Sequence, residues 1–526
     1  MGGTRKDGEP HKPEKDGLLA DGVSYYAADQ AQLDSYRQAA GQLGRFSAPV
    51  LIELDKPNQR MFVAAFDGTG NDADKDPEHA TNVAKFRDQI ERRNEDGLTN
   101  IRVGYVPGPG TQDDFVARAL DGARGHTYDQ RLEQMYKVFI DQAARWQRSN
   151  PDVEISVTTV GFSRGAEQAA GFARLLHERG IQKPEAVEYR RDREGNIIGS
   201  PTFNPDIPPL VPPGQIPQAV ALFDPVGTGV PVNEKDRRLP PSVISGVQII
   251  AADEHRGLFK STHIIDPGAS EDGRFLGVVV AGAHSDVGGS YHRDGLAIRS
   301  GNLMTDYLNS LSDQPFLEKR PEPLEPGRNV VHRSEEGMLL YRLGSKVDRQ
   351  SEDGHIQRLV PKDRVDKIED AYNAEPVDPA MKARFEYRPV KIGEAPPSQP
   401  ADRLAQQSEI AAPTPSLSGK DWALHDALRG RMPPQHAGDD RLMQLTLSAR
   451  QAGIEAESLK GVQEANGKLW AVGQTPGFRA AVDLSQPAPA VQESARGLNE
   501  FERARQQDAA VQSRQQEHAP PQQRMQ

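Results

Sequence analysis

The residues best able to do chemistry are those of Gly161-Phe162-Ser163-Arg164-Gly165. They follow the β-branched run VEISVTTV directly and lead into AEQAAGFARLLHERG, whose composition predicts a helix. A serine on such a strand-to-helix turn sits in a strained conformation that presents its hydroxyl, and the helix N-terminus behind it favours a developing oxyanion. The Arg164 amide is then one oxyanion donor. The blander reading is a glycine-rich turn whose serine merely caps the helix.

A nucleophilic serine needs a base and a group to orient that base, and in open α/β sheets the chain order is Ser, then Asp or Glu, then His. Asp224 ends the apolar run AVALF and His284 ends LGVVVAG, so both come off carboxyl ends of expected strands, where such sheets build their sites. Asp224 could instead cap the following turn, and Asp253 is the alternative acid. The loop Asp67-Gly68-Thr69-Gly70-Asn71 follows another apolar run, MFVAAF, and offers the second oxyanion donor as a backbone amide of Gly68 or Thr69; the equal alternative is a tight turn closed by an Asx bond. It lacks the Gly-Lys-Ser/Thr ending of a phosphate loop. Imidazole and carboxylate at His284, Asp286 and His292 also suit a divalent ion, but no second such cluster accompanies them, and no metal is expected.

These residues need a scaffold. Short apolar runs at 61–66, 101–106, 153–162, 219–223, 246–252 and 276–282 show no exposed alternation, as expected of strands buried on both faces of a mostly parallel sheet. Helices are expected at 26–43 and at about 128–148, the latter with Leu132, Met135, Tyr136, Phe139 and Ile140 at helical spacing. An α/β layered domain over 59–330 follows, with helices on both faces of the sheet, after a disordered and helical lead at 1–58. Residues 183–218 carry seven prolines between Pro201 and Pro217 and read as a surface insertion. Within it Ile207, Leu210, Val211 and Ile216 lack an obvious element to bury them and are a candidate lipid-facing rim, with a packed surface loop the equal alternative. Residues 331–388 give no assignable pattern, and 389–418 form a Pro-rich linker. Beyond it, 419–526 read as a small α+β module with a helix at 440–454, a strand at 468–472 and a Gln-rich flexible tail.

Composition narrows the function classes. The 526 residues hold 64 Lys and Arg against 76 Asp and Glu, a net charge of −12, so no nucleic-acid partner is expected. The absence of cysteine rules out disulfides and thiolate catalysis. No apolar run reaches the ~18 residues of a membrane span, and the N-terminus lacks a secretory h-region, so synthesis in the cytoplasm without a Sec signal is expected.

The segments FDGTGN (66–71), GYVPGPGT (104–111), GFSRGAEQAAGFARLL (161–176), ALFDPVGTG (221–229), AADEHRGLF (251–259) and AGAHSDVGGSY (281–291) resemble, in order, the motifs of type VI secretion lipase effectors of the Tle type. The resemblance implies an α/β-hydrolase-like fold with Ser163 as nucleophile, Asp224 as acid and His284 as base. It also implies phospholipase activity, of phospholipase A type, on membrane phospholipid. Asp-Pro-Val stands here where Asp-Thr-Val is usual, and Ala-His where Val-His is frequent; neither change removes a functional group. Residues 419–526 resemble the XVIPCD, an export domain of antibacterial type IV secretion effectors, through DRLMQLTLSARQAGIEAESLKGV and GKLWAVGQ. That implies a secretion coupling ATPase and a cognate immunity protein as partners, and delivery by a type IV or type VI system into a target cell, with its periplasm as the expected place of action. No resident cofactor is implied, and assistance by Ca²⁺ is left open. The competing readings are a binding protein on a catalytically inactive hydrolase fold and a soluble small-ester esterase.

Overall fold

A computed structural model describes residues 18–74, 76–108, 126–193, 197–227, 235–337, 339–396, 419–436, 438–465, 467–474, 479–489, 491, 493–498 and 501. They form two units, divided after Ser398. The Gln-rich tail beyond residue 501 and most of the expected linker, 397–418, lie outside the described residues.

The first unit is built on a seven-stranded sheet. Its strands are β1 (Gln59–Phe66), β2 (Ile101–Val106), β3 (Glu154–Phe162), β4 (Gln218–Phe223), β5 (Val243–Ala251), β6 (Gly268–Ala269) and β7 (Phe275–Val280). The order is β6-β7-β5-β4-β3-β1-β2, parallel throughout except for the short β6. This is an α/β-hydrolase-like arrangement, and it puts the ends of the central strands along one edge.

Alternate residues of β1 explain the two layers. Met61, Val63 and Ala65 join one apolar core, and Phe62, Ala64 and Phe66 join the other. The first core takes in residues of α1 (Gln30–Leu43), α2 (Asn82–Glu95) and α6 (Gly295–Ser310); the second takes in α3 (His126–Ser149) and α4 (Arg164–Arg179). The five-residue helix α5 (His284–Gly288) lies between β7 and α6. Because both faces are covered, β4 and β5 are buried along their whole length, and unbroken apolar runs result.

The body is wider than the 59–330 span expected from the sequence. Tyr25–Ala27 pairs antiparallel with Val330–His332, and Ser47–Pro49 with Tyr387–Pro389. The expected helix at 26–43 therefore starts later, where Asp29 caps it: its side chain accepts from the Gln32 amide at 2.8 Å while Gln32 answers at 3.0 Å. Residues 331–388, without pattern in the sequence, wrap onto the body: Leu359 enters the second core and Met381 the first. The first residues of the expected linker are packed too. Val390 is 3% exposed, and Gly393 donates to Asp306 at 3.1 Å.

The segment 207–217 is not a lipid-facing rim. Leu210 donates to Ile181 at 2.7 Å, Ile216 is 1% exposed, and Leu210 and Val211 pack on the second core. The segment also runs into Gln218, the first residue of β4, at the opposite sheet edge from Ser163. Earlier in the insertion a short antiparallel pair, Val187–Glu188 with Thr202–Phe203, brings the Phe203 ring against Arg179, the last residue of α4.

The second unit holds α7 (Gly419–Arg429), α8 (Asp439–Gln451) and an antiparallel sheet of β8 (Leu459–Ala465), β9 (Lys468–Gly473) and β10 (Arg479–Asp483) around its own core. A buried pair, Arg450 to Asp421 at 2.7 Å, joins the two helices. Among the described residues no helix is long and apolar enough to cross a membrane.

Met381 tests whether the C-terminal wrap belongs to the core. It is 2% exposed, so Met381→Ala should destabilise the first unit by about 2–5 kcal/mol in chemical denaturation. A loss below about 1 kcal/mol would make the wrap peripheral.

Candidate active site

Ser163 follows β3 with φ 60° and ψ −127°, a left-handed backbone that non-glycine residues rarely adopt. Its neighbours hold it there. The Ser163 amide donates to the Phe223 carbonyl at 3.0 Å, and its own carbonyl accepts from Ala166 at 3.0 Å. The flanking glycines are required by contact: a Cβ on Gly165 would lie 2.2 Å from the Phe66 carbonyl oxygen, and one on Gly161 2.4 Å from that of Gly165. The serine side chain makes no capping hydrogen bond to the helix that follows, which removes the capping role weighed above.

Asp224 occupies the matching position one strand over, since Phe162 and Phe223 are a cross-strand pair and each precedes its functional residue. It too has a positive φ, 39°. His284 opens α5, and its Nδ1 lies 2.5 Å from Asp224 Oδ2. A carboxylate only accepts, so Nδ1 carries the proton and Nε2 is left as the base. The imidazole is wedged between Phe162, with ring centroids 4.5 Å apart, and Phe259, at 5.2 Å and nearly edge-on.

Asp224 is fully buried, and its other oxygen accepts from the Ala251 amide at 3.0 Å and from Arg349. Burial alone would push this carboxyl up, but the Arg349 guanidinium and His284 outweigh it and hold it down at about 2. Burial also lowers His284 below its ordinary 6.5, against the pull of Asp224. Glu254, also fully buried, accepts from the His284 amide at 3.3 Å and pairs with Arg256 at 2.7 Å. Burial would raise its carboxyl, yet Arg256 keeps it at about 2. Arg256 in turn lies 3.5 Å from the Phe259 ring centroid and 4.9 Å from that of Tyr341.

Two sequence expectations need correction. Asp253 does not reach His284; its carboxylate accepts from the Gly282 amide at 2.7 Å and fixes the turn before α5. Gly68 is no oxyanion donor, because its amide donates to Asp67 Oδ1 at 2.7 Å. Thr69 keeps that candidacy: its hydroxyl accepts from Arg164 Nη1 at 3.2 Å, which ties the loop to the elbow, and its amide donates to none of the described residues.

Asp67 anchors this loop from below, accepting from Tyr105 at 2.6 Å and Thr81 at 2.8 Å, with burial pushing its carboxyl up to about 6. Glu254, Arg256 and Arg349 were not singled out by sequence reasoning. The first two stand within AADEHRGLF, beside the residue that was chosen; Arg349 sits in the stretch without pattern.

Asp286 and His292 are occupied elsewhere. Asp286 bonds His332, which also meets Asp21 at 3.0 Å; burial opposes a charged imidazole, but the two carboxylates lift His332 to about 9. His292 packs edge-on against His79, with centroids 4.6 Å apart. Among the described residues no group of three or more His, Asp or Glu is arranged to hold a metal ion.

Residues 60–193 match the family model described as the catalytic domain of Tle1-like phospholipase effectors of type VI secretion systems. No curated protein matches the chain. Solved structures similar to it include an uncharacterized protein from Pseudomonas aeruginosa, with 17% identity, 76% of this chain and 62% of that chain covered, and a TM-score of 0.31. Another is the Tle1 effector bound to the VgrG spike of a type 6 secretion system, with 19% identity, 44% of this chain and 51% of that chain, and a TM-score of 0.26. A third is the RedJ thioesterase of the prodiginine pathway in Streptomyces coelicolor, with 15% identity, 49% of this chain and 95% of that chain, and a TM-score of 0.20. The chain thus spans less than two thirds of the first two proteins' lengths.

The two acids can be told apart by experiment. Were Asp224 the acid of an ester-cleaving triad, Asp224→Asn would lower ester hydrolysis by roughly 10⁴-fold, because an amide at the Nδ1 contact favours the wrong imidazole tautomer. Asp253→Asn keeps an acceptor for the Gly282 amide and should stay within a few-fold of wild type. A reversed outcome would transfer the acid role to Asp253.

Proposed function

We propose that the chain is a serine carboxylester hydrolase acting on membrane phospholipid, of phospholipase A type, and that it works as an antibacterial effector. The observation that carries the chemistry is the 2.5 Å contact of His284 Nδ1 with Asp224 at the strand ends beside the strained Ser163. The match of residues 60–193 to a phospholipase effector domain supports the substrate class.

In this reading His284 Nε2 takes the Ser163 hydroxyl proton as the oxygen attacks the ester carbonyl. The backbone amides of Arg164 and Thr69 receive the oxyanion, and Asp224 holds the imidazolium as it forms. Collapse of the tetrahedral intermediate breaks the acyl–oxygen bond, and the same proton passes to the lysolipid alkoxide as it leaves. Water, deprotonated by His284, then cleaves the acyl-enzyme to release fatty acid and restore the serine.

Residues 419–526 are assigned to delivery rather than to hydrolysis, through a coupling ATPase of a type IV system if the resemblance of this unit holds, or through a type VI system as for the effectors of the matched family model. A cognate immunity protein would protect the producer.

Purified chain should release fatty acid and lysolipid from phosphatidylethanolamine and phosphatidylglycerol vesicles. Ser163→Ala should lower this by ~10⁴-fold or more with unchanged circular dichroism. Near-full activity in the folded variant would overturn the nucleophile assignment, and phospholipid left intact while short esters are cleaved would favour a small-ester esterase. A chain ending at Ser398 should keep vesicle hydrolysis yet lose contact-dependent killing of a competitor. Killing at the wild-type level would remove delivery from the second unit.

A further inference from the structure

Arg349 lies in the wrap outside the sheet and reaches the acid from there. Its Nη1 donates to Asp224 Oδ1 and, at 3.0 Å, to the Ala251 carbonyl; Nε and Nη2 donate to the Phe259 carbonyl at 3.1 and 2.6 Å. The side chain is 2% exposed. Three acceptors from two strand ends and one loop therefore fix the guanidinium, and one of them belongs to the residue whose ring packs on His284.

Charged groups reach His284 from several elements, and Arg256 and Glu254 act on it directly besides Asp224. Asp224 faces Nδ1 from the end of β4. Glu254 meets the His284 amide, and Arg256 pairs with Glu254, both from the loop after β5. Arg349 faces Asp224 from the wrap. The Phe162 and Phe259 rings pack against the imidazole. With a neutral imidazole the two carboxylates and two guanidiniums balance; with an imidazolium the buried cluster carries a net positive charge.

A buried aspartate without a counter-ion would instead draw a proton onto the histidine, since the imidazolium would be its partner. We infer that Arg349 is a positioning residue: by neutralising Asp224 it keeps His284 unprotonated in the resting enzyme and sets the acid limit of activity. The inference rests on the reading of Ser163, His284 and Asp224 as a triad. The base works only when neutral, so activity rises as pH passes upward through the histidine's value. Burial lowers that value below 6.5, with Arg256 adding to it; removing the counter-charge of Asp224 would strengthen the pull of that carboxylate on the proton and raise it.

The test is the pH profile of kcat/KM on a soluble short-chain ester for the full-length wild type, Arg349→Gln, Arg349→Lys and Ser163→Ala. The wild-type acid limb should fall below pH 6.5. In Arg349→Gln it should move up by roughly half a unit to one unit, the scale of a neighbouring charge, with Arg349→Lys returning most of the way. A profile for folded Arg349→Gln that superimposes on wild type overturns the inference, as does an equal loss in both arginine variants with the limb unmoved, which is what a purely structural arginine would give. Activity in Ser163→Ala sinks the triad itself and is a separate failure. Should Arg349→Gln not fold, histidine-selective NMR titration of the wild-type chain and of the neutral, similarly sized Arg349→Met, with the His284 signal assigned from a His284→Gln variant, decides: a higher midpoint in Arg349→Met supports the inference, and equal midpoints overturn it.

Discussion

A carboxylate at the end of β4 with no exposed surface is the costly element of this structure, and much of the surrounding architecture serves to make it tolerable. Removing such a charge from water is repaid only if its lone pairs are met with good geometry. Asp224 meets that condition with a backbone amide, an imidazole and a guanidinium drawn from three separate parts of the chain. The Glu254–Arg256 pair repeats the solution one strand over, and between the two pairs lies an imidazole whose ring is shut off by aromatic faces. Low dielectric makes each of these interactions stronger and also makes the loss of any single partner expensive.

The second constraint is steric. Ser163 and Asp224 both hold positive φ, which costs of order 1–3 kcal/mol per residue and survives only where the surroundings over-determine it. Here the determinants are backbone groups: the Ser163 amide is tied to the Phe223 carbonyl, the Asp224 amide donates to Ile249 at 2.7 Å, and Gly165 is pressed against the end of β1. Strain at the two positions is shared through one hydrogen bond, so the serine and the acid are set by the same register. His284 is fixed differently, by a short helix whose Asp286 is gripped by His332 on the strand that binds Tyr25–Ala27.

Much of this was legible in the sequence, for identifiable reasons. Strands buried on both faces leave unbroken apolar runs, and so β1 to β5 and β7 could be read to within a few residues. Ser163 and Asp224 stand out in the sequence because each directly follows such a run, and His284 because it comes shortly after the end of β7. What failed was long-range or local-polar. Arg349 meets Asp224 from across 125 positions of chain, and no periodicity marks an arginine for that task. For Gly68 the two readings stayed open because composition cannot distinguish a free donor from an amide satisfied by the side chain immediately before it, and the structure shows the Asx-type bond. An exposed rim and a packed loop were equal readings of 207–217 because a proline-rich stretch has no periodicity to show which surface its apolar residues cover, and Leu210 and Val211 pack on the second core.

The pairing of Ser47–Pro49 with Tyr387–Pro389 bears on how the protein comes into being. During synthesis the N-terminal strand must wait until nearly all of the first unit has emerged before its partner exists, and contacts of such large sequence separation are slow to form. The counter-charge for Asp224 arrives almost as late. A nascent chain that already holds Ser163, Asp224 and His284 still lacks the guanidinium that meets Asp224 in the dry interior. The order of residues along the chain thus acts as a timer, holding back a finished site until translation of the body is almost complete.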